Sequence, residues 1–110
     1  MIVRIHENEW PWGSTAQIVA ADGCAIVEMS FEKNEPGVCY VSGLSVVPIA
    51  RRQGRARELM GMVLDECRER GIFRIDLNAV KEPFVVRFYE SLGFKALEER
   101  DGLIPMYKLF

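Results

Sequence analysis

The chain has 110 residues, enough for one domain and little more. Apolar residues make up 49% of it and charged residues 27%, so a packed core under a solvated surface is expected and disorder is not. A formal net charge of −2 and a pI near 5.5 argue against a general nucleic-acid binder, whose footprint is strongly basic. No apolar run nears the roughly 18–20 residues that span a bilayer. Residues 1–7 also lack the apolar stretch of a signal peptide, so a cytoplasmic location with no membrane partner is expected. Cys24, Cys39 and Cys67 are odd in number and lack metal-like spacing; they read as reduced core thiols.

In chain order, Ile2-Val3-Arg4-Ile5 suits an edge strand, and Trp10-Pro11-Trp12-Gly13 a turn with two anchoring aromatics. Residues 16–20 form a short strand, Asp22-Gly23 a hairpin turn, and residues 24–31 the returning strand. Asn34-Glu35-Pro36-Gly37 breaks the chain. Residues 38–47 form the next strand, and Ser42-Gly43 inside it predicts a bulge or a close backbone approach. The period then changes. Leu59, Met60, Val63, Leu64 and Cys67 fall at steps of three and four, one face of a helix that runs from Gly54 to Arg70 and closes at Gly71. Residues 72–77 alternate as a strand. Pro83 opens a second helix with Phe84, Val85, Phe88 and Leu92 inward and Gly93 at its end. A final strand or hairpin covers residues 95–99 and 103–109 and turns at Asp101-Gly102. The order predicts a single α/β domain, mainly antiparallel at its start, with a parallel unit across the first helix.

The segment joining strand and long helix, Val46-Val47-Pro48-Ile49-Ala50-Arg51-Arg52-Gln53-Gly54-Arg55-Ala56, suits a diphosphate. Pro48 stops the ladder, having no N–H. Gly54 and Ala56 are small where the helix begins, so a ligand can lie against unpaired N–H groups at the positive end of the helix dipole. Arg51, Arg52 and Arg55 add positive charge. A solvated basic face and a nucleic-acid patch are the alternatives at this point, the second disfavoured by the acidic whole.

Arg51, Gly54 and Ala56, with Pro48 before them and Leu59-Met60 after, resemble the phosphate signature of the GNAT superfamily of N-acetyltransferases. Phe88-Tyr89-Glu90-Ser91-Leu92-Gly93-Phe94 is similar to that family's aromatic–Tyr–x–x–Leu–Gly–Phe ending of the following helix. The two motifs stand in the family's order and spacing, and the likeness covers roughly residues 24–110. It implies the GNAT acyltransferase fold, a mixed central sheet flanked by helices, here with a reduced N-terminal part. Acetyl-CoA is the implied co-substrate. Backbone N–H groups of Arg52, Gln53, Gly54, Arg55 and Ala56 would cradle its pyrophosphate. Leu44, Ser45 and Val46 would pair with the pantetheine arm, with the irregularity at Ser42-Gly43 opening the slot. Tyr89 would protonate the departing thiolate.

The implied reaction is transfer of acetyl to a primary amine by direct attack, with a strand N–H near Val46 stabilising the oxyanion. Residues 38–47 carry no acid, so Glu28 on the preceding strand is the candidate base, set against the plainer role of a solvent-facing strand residue. His6 is a weaker candidate, near a terminus. Asn78 could bind the pantetheine amide or cap a turn. The family often has an asparagine seven residues before the tyrosine; Glu82 stands there. Cys39 offers a ping-pong route, against which stands ordinary core packing.

GNAT domains usually open with a strand and two helices that wall the acceptor site. Nothing before Cys24 looks like two helices. Trp10 and Trp12 would have to patch that face, or a partner subunit close it in a homodimer, or the acceptor be large, such as a protein. An acyl-CoA-binding module without turnover and a purely structural interaction domain are the competing classes.

Overall fold

The computed structural model describes residues 3–46 and 53–110. The expectations for Val47, Pro48, Arg51 and Arg52 therefore fall outside the described residues. In chain order the elements are strands β1 (Val3–Trp10), β2 (Gly13–Ala20), β3 (Ala25–Glu32) and β4 (Val38–Val46), helix α1 (Arg55–Glu69), strand β5 (Arg74–Val80), helix α2 (Pro83–Ser91), and strands β6 (Lys95–Ala96) and β7 (Leu103–Leu109). The strands make one mixed sheet in the order β1-β2-β3-β4-β5-β7-β6. Every neighbouring pair is antiparallel except β4 and β5, which lie parallel across α1. This is the architecture expected from the helix placed between two strands.

The N-terminal segment is more regular than its sequence suggests. It pairs as a full eight-residue hairpin from Val3↔Ala20 to Trp10↔Gly13. Only alternation on one side of β2 is apolar, and β1 is exposed along nearly its whole length, so periodicity gave β1 little to read. The indole N–H of Trp10 donates to Thr15 Oγ1 at 3.0 Å, which ties the two strands at their turn. The segment that builds two helices in the resemblance builds two strands here.

Alternation then divides the sheet into two faces. Ala16, Ile18 and Ala20 on β2, Ala25, Val27 and Met29 on β3, Cys39 and Val41 on β4, and Ile75, Leu77 and Ala79 on β5 are buried. They meet Leu59, Met60, Val63 and Cys67 of α1, while Val85, Phe88 and Tyr89 of α2 and Leu92 just beyond it pack against the same core. Each large aliphatic side chain sealed here contributes about 1.5–3 kcal/mol. The other face carries Gln17, Glu28, Tyr40, Asp76 and Asn78, and among the described residues no helix covers it.

Arg70, just beyond α1, fastens the helix back onto the first two hairpins. Its guanidinium bonds Glu66 on α1 and Glu7 on β1 and lies 4.5 Å from the ring centroid of Phe31. A cation held between two carboxylates over an aromatic face links three elements that hydrophobic packing alone meets only at their edges.

Candidate active site

The site begins where two strands part. β4 and β5 pair from Val38↔Arg74 to Val41↔Leu77 and no further. Beyond that point β4 stays with β3 and β5 stays with β7. The cause is local to β4. Its register against β3 shifts between Ile26 and Glu28, opposite Gly43, which sits at φ 63°, a left-handed conformation that a residue with a Cβ adopts at a cost. The bulge expected at Ser42-Gly43 is thus present, and it turns the end of β4 away from β5.

A cleft of about 880 Å³ fills the gap. One wall is the strand from Ser42 to Val46; the other is Asn78 and Val80 of β5. Ala56, at the start of α1, stands at the cleft, as do Glu82, Phe84, Phe88 and Tyr89 from α2 and its approach. The structure therefore brings Leu44, Ser45, Val46, Ala56, Asn78 and Tyr89 to one cavity.

At the α1 end, Gly54 is the N-cap, with φ 74° and ψ 9° and no side-chain cap. The first helical bond runs from Glu58 N–H to Gly54 O at 3.0 Å. The N–H groups of Arg55, Ala56 and Arg57 thus have no carbonyl of their own helix to meet. A Cβ built on Gly54 would find no described atom within 4 Å, so the approach to these amides is open. Gln53 is exposed beside it. An anion fits this arrangement: donors, a helix dipole and free space coincide.

Arg55 behaves differently from the free charge expected of it. Its Nη1 lies 2.7 Å from Asp22 Oδ2 in the β2–β3 turn. The backbone N–H of Cys24, and then Arg55, hold the Asp22 carboxyl below its usual range. Arg55 is therefore partly neutralised and ties the turn to the helix start. Arg57, which no local motif singles out, donates to Ser91 Oγ at 2.8 Å and lies 5.7 Å from the Phe88 ring, joining the first turn of α1 to the end of α2.

At the other end stands Tyr89. The α2 chain turns at Gly93, and Phe94 N–H donates back to Tyr89 O at 3.1 Å. That turn lays the buried Phe94 ring edge-on to Tyr89 at 5.8 Å, with Phe88 on another side at 5.2 Å. Burial pushes the Tyr89 phenol above its ordinary range, so it stays a proton donor through neutral and mildly alkaline pH. The Phe–Tyr–x–x–Leu–Gly–Phe run is, in physical terms, a device that clamps one phenol.

Glu28 does not line the cleft. It stands on the open face of the sheet, in register with Ser42, and accepts a 3.2 Å hydrogen bond from Gln17. His6 lies on β1, separated from β4 by β2 and β3, which at strand spacing is about 14 Å. Cys39 is fully buried, and its contact with the Cys67 thiol together with burial pushes its own thiol up, away from any nucleophilic form. Phe84, expected on the inner face of the second helix, is instead 63% exposed, because the helix presents it to the cleft, which it walls together with Val80.

Comparison with known proteins agrees with this geometry. The family model of the acetyltransferase (GNAT) domain matches residues 8–103. No curated protein matches the sequence. Among solved structures, the PaiA N-acetyltransferase of Thermoplasma acidophilum in complex with coenzyme A has a TM-score of 0.74 and 15% identity over 87% of this chain, which spans 60% of that protein's length. The acetyltransferase of Bacillus subtilis in complex with CoA has a TM-score of 0.74 and 12% identity, covering 99% of each chain. The ribosomal-protein-S18-alanine N-acetyltransferase of Escherichia coli has a TM-score of 0.74 and 21% identity over 92% of this chain and 71% of that one. At such identities these structures speak for the fold, and the family match speaks for the lineage. That match spans most of the chain, which therefore belongs to the GNAT acetyltransferase family, whose solved relatives above include complexes with coenzyme A.

Proposed function

We propose that this chain, as a single domain over residues 1–110, transfers acetyl from acetyl-CoA to a primary amine by direct attack within a ternary complex. The observation that carries this reading is one continuous cleft running from Ala56 at the start of α1, along Leu44, Ser45 and Val46, to Tyr89. In it the amides at Gly54, Arg55 and Ala56 receive the pyrophosphate, with Gln53 at the rim and Arg51 and Arg52 just before it in sequence. The strand segment at Leu44, Ser45 and Val46, a wall of the cleft, pairs with the pantetheine arm, and Asn78 faces it from β5.

The amine attacks the thioester carbonyl. An N–H of β4 near Val46 donates to the oxyanion, and Tyr89 gives its proton to the leaving sulfur. Glu28 serves as base through water, since its carboxylate shares the open face with Ser42, a wall of the cleft. The acceptor, a small amine or a protein amine, reaches the carbonyl from that face. For the E. coli enzyme, the structure's name specifies an alanine of ribosomal protein S18. The setting is the cytoplasm, and no helix among the described residues is long and apolar enough to cross a membrane.

Incubation with acetyl-CoA and a pool of amines, followed by assay of free thiol and acetylated product, tests the reading. A second reading, an acyl-CoA-binding module without turnover, has one observation in its favour: the Glu28 carboxylate is held by Gln17. Binding of acetyl-CoA without thiol release would establish that reading instead.

A further inference from the structure

The cleft wall at Asn78 carries a side-chain bridge whose other half, Tyr40, the reaction as described above does not use. Tyr40 lies on β4 one residue before the last parallel pair, Val41↔Leu77. Asn78 lies on β5 one residue after it. The amide of Asn78 donates to the Tyr40 hydroxyl oxygen at 3.0 Å, although the two residues are 38 apart in sequence. The bond thus spans β4 and β5 at the point where the strands cease to pair.

Its position relative to the cavities is informative. Asn78 is a wall of the large cleft. Tyr40 is a wall of a second recess of about 190 Å³ on the open face, together with Ser30, Val38 and Asp76. The bridge therefore stands between the two spaces. Tyr89 closes the same cleft from α2, on the helical face of the sheet. The bridge thus meets the slot through Asn78 from the open face, while Tyr89 meets it from the helical face, on the side of the leaving sulfur.

The bonding capacity of the pair suits a nucleophile. The bridge consumes one amide proton of Asn78 and one lone pair of the phenol oxygen. Among the described residues, Asn78 Oδ1 and the second phenol lone pair carry no other hydrogen bond, and the Tyr40 side chain is half-exposed. A neutral amine attacking a carbonyl directs its lone pair at carbon and its N–H bonds away. Two acceptors at the entrance, held to each other, fix those N–H bonds and so aim the lone pair.

We propose that Tyr40 and Asn78 are a positioning pair that orients the acceptor nitrogen, with the recess beside Tyr40 taking the chain that carries it. The inference rests on the acetyl-transfer reading, and the experiment separates their failures. The protein is saturated with coenzyme A, which cannot react, and titrated with n-butylamine while the side-chain amide resonances of asparagine are followed by ¹H–¹⁵N NMR. The Asn78 amide signals shift saturably with amine, and in Tyr40→Phe, which keeps the ring, amine affinity falls about tenfold, the worth of one well-made hydrogen bond. Coenzyme A affinity by calorimetry stays within about twofold, since the phenol lies outside the cofactor path. In turnover with the same amine, Tyr40→Phe raises the amine KM with little change in the KM of acetyl-CoA. Asn78 signals that respond to coenzyme A and ignore the amine would overturn the inference and leave the cofactor reading standing. Failure of coenzyme A to bind at all would overturn both.

Discussion

Replacing Gly54 with alanine separates two effects that the structure keeps distinct. Gly54 sits at φ 74°, where a residue with a Cβ is strained by about 1–2 kcal/mol. Alanine also stiffens the unfolded chain, returning about 0.4–1 kcal/mol. No described atom lies within 4 Å of the new Cβ, so no packing clash is added. The net loss is about 1 kcal/mol, a fall in Tm of about 4–8 °C for a domain of this size. The methyl group, however, occupies the approach to the amides of Arg55 and Ala56. Losing one charge-assisted hydrogen bond to a phosphate costs about 1.5–3 kcal/mol, so coenzyme A should bind about ten to a hundred times more weakly. Asparagine is the informative control. It tolerates the left-handed conformation and caps helices well, so Gly54→Asn should keep nearly the native Tm yet bind coenzyme A no better than Gly54→Ala. Gly54→Glu, with bulk and negative charge, should abolish binding. Thermal unfolding by circular dichroism and titration calorimetry measure the two quantities. A Tm that falls in Gly54→Ala with an unchanged coenzyme A Kd would refute the placement of the pyrophosphate at this turn.

Tyr89→Phe should lower kcat while leaving acetyl-CoA affinity nearly intact, because only the leaving sulfur needs the proton; equal losses in rate and affinity would make Tyr89 a packing residue. Because burial raises the Tyr89 pKa, the folded state prefers the neutral phenol. The stability this contributes is full below the unfolded value of about 10 and is lost as pH rises beyond it, so the wild type should lose more stability than Tyr89→Phe in urea titrations on the alkaline side. Glu28→Gln should reduce kcat at neutral pH with unchanged acetyl-CoA binding, and a wild-type rate would move the base elsewhere. Cys39→Ser should retain turnover, and the wild-type protein mixed with acetyl-CoA alone should show no acetyl adduct by intact mass; an adduct on Cys39 would restore the ping-pong route. Arg70→Ala should cost about 1–2 kcal/mol in urea denaturation through its contacts with Glu7, Glu66 and Phe31.

Much of the fold could be read from local pattern because its signals are local. The steps of three and four from Leu59 to Cys67, the proline at position 83 and the turn at Asp101-Gly102 each depend on a few neighbouring residues, and each element stands where those residues put it. The two motifs around Gly54 and Tyr89 were legible for the same reason: a left-handed N-cap favours glycine, and a clamped phenol needs aromatic rings at short range. β1 was hard to read because its exposed face leaves no alternation to detect, so its pairing is decided by β2.

What the sequence by itself determined is the order of elements and the two short motifs, around Ala56 and Tyr89, that the cleft brings together. What only tertiary structure decided is who meets whom across the sheet. The salt bridge between Asp22 and Arg55, the tie from Arg57 to Ser91 and the bond from Asn78 to Tyr40 join residues 33, 34 and 38 apart. No local period encodes such partners. They exist only once the strands and both helices are packed, which brings together turns, helix ends and neighbouring strands that are distant in sequence.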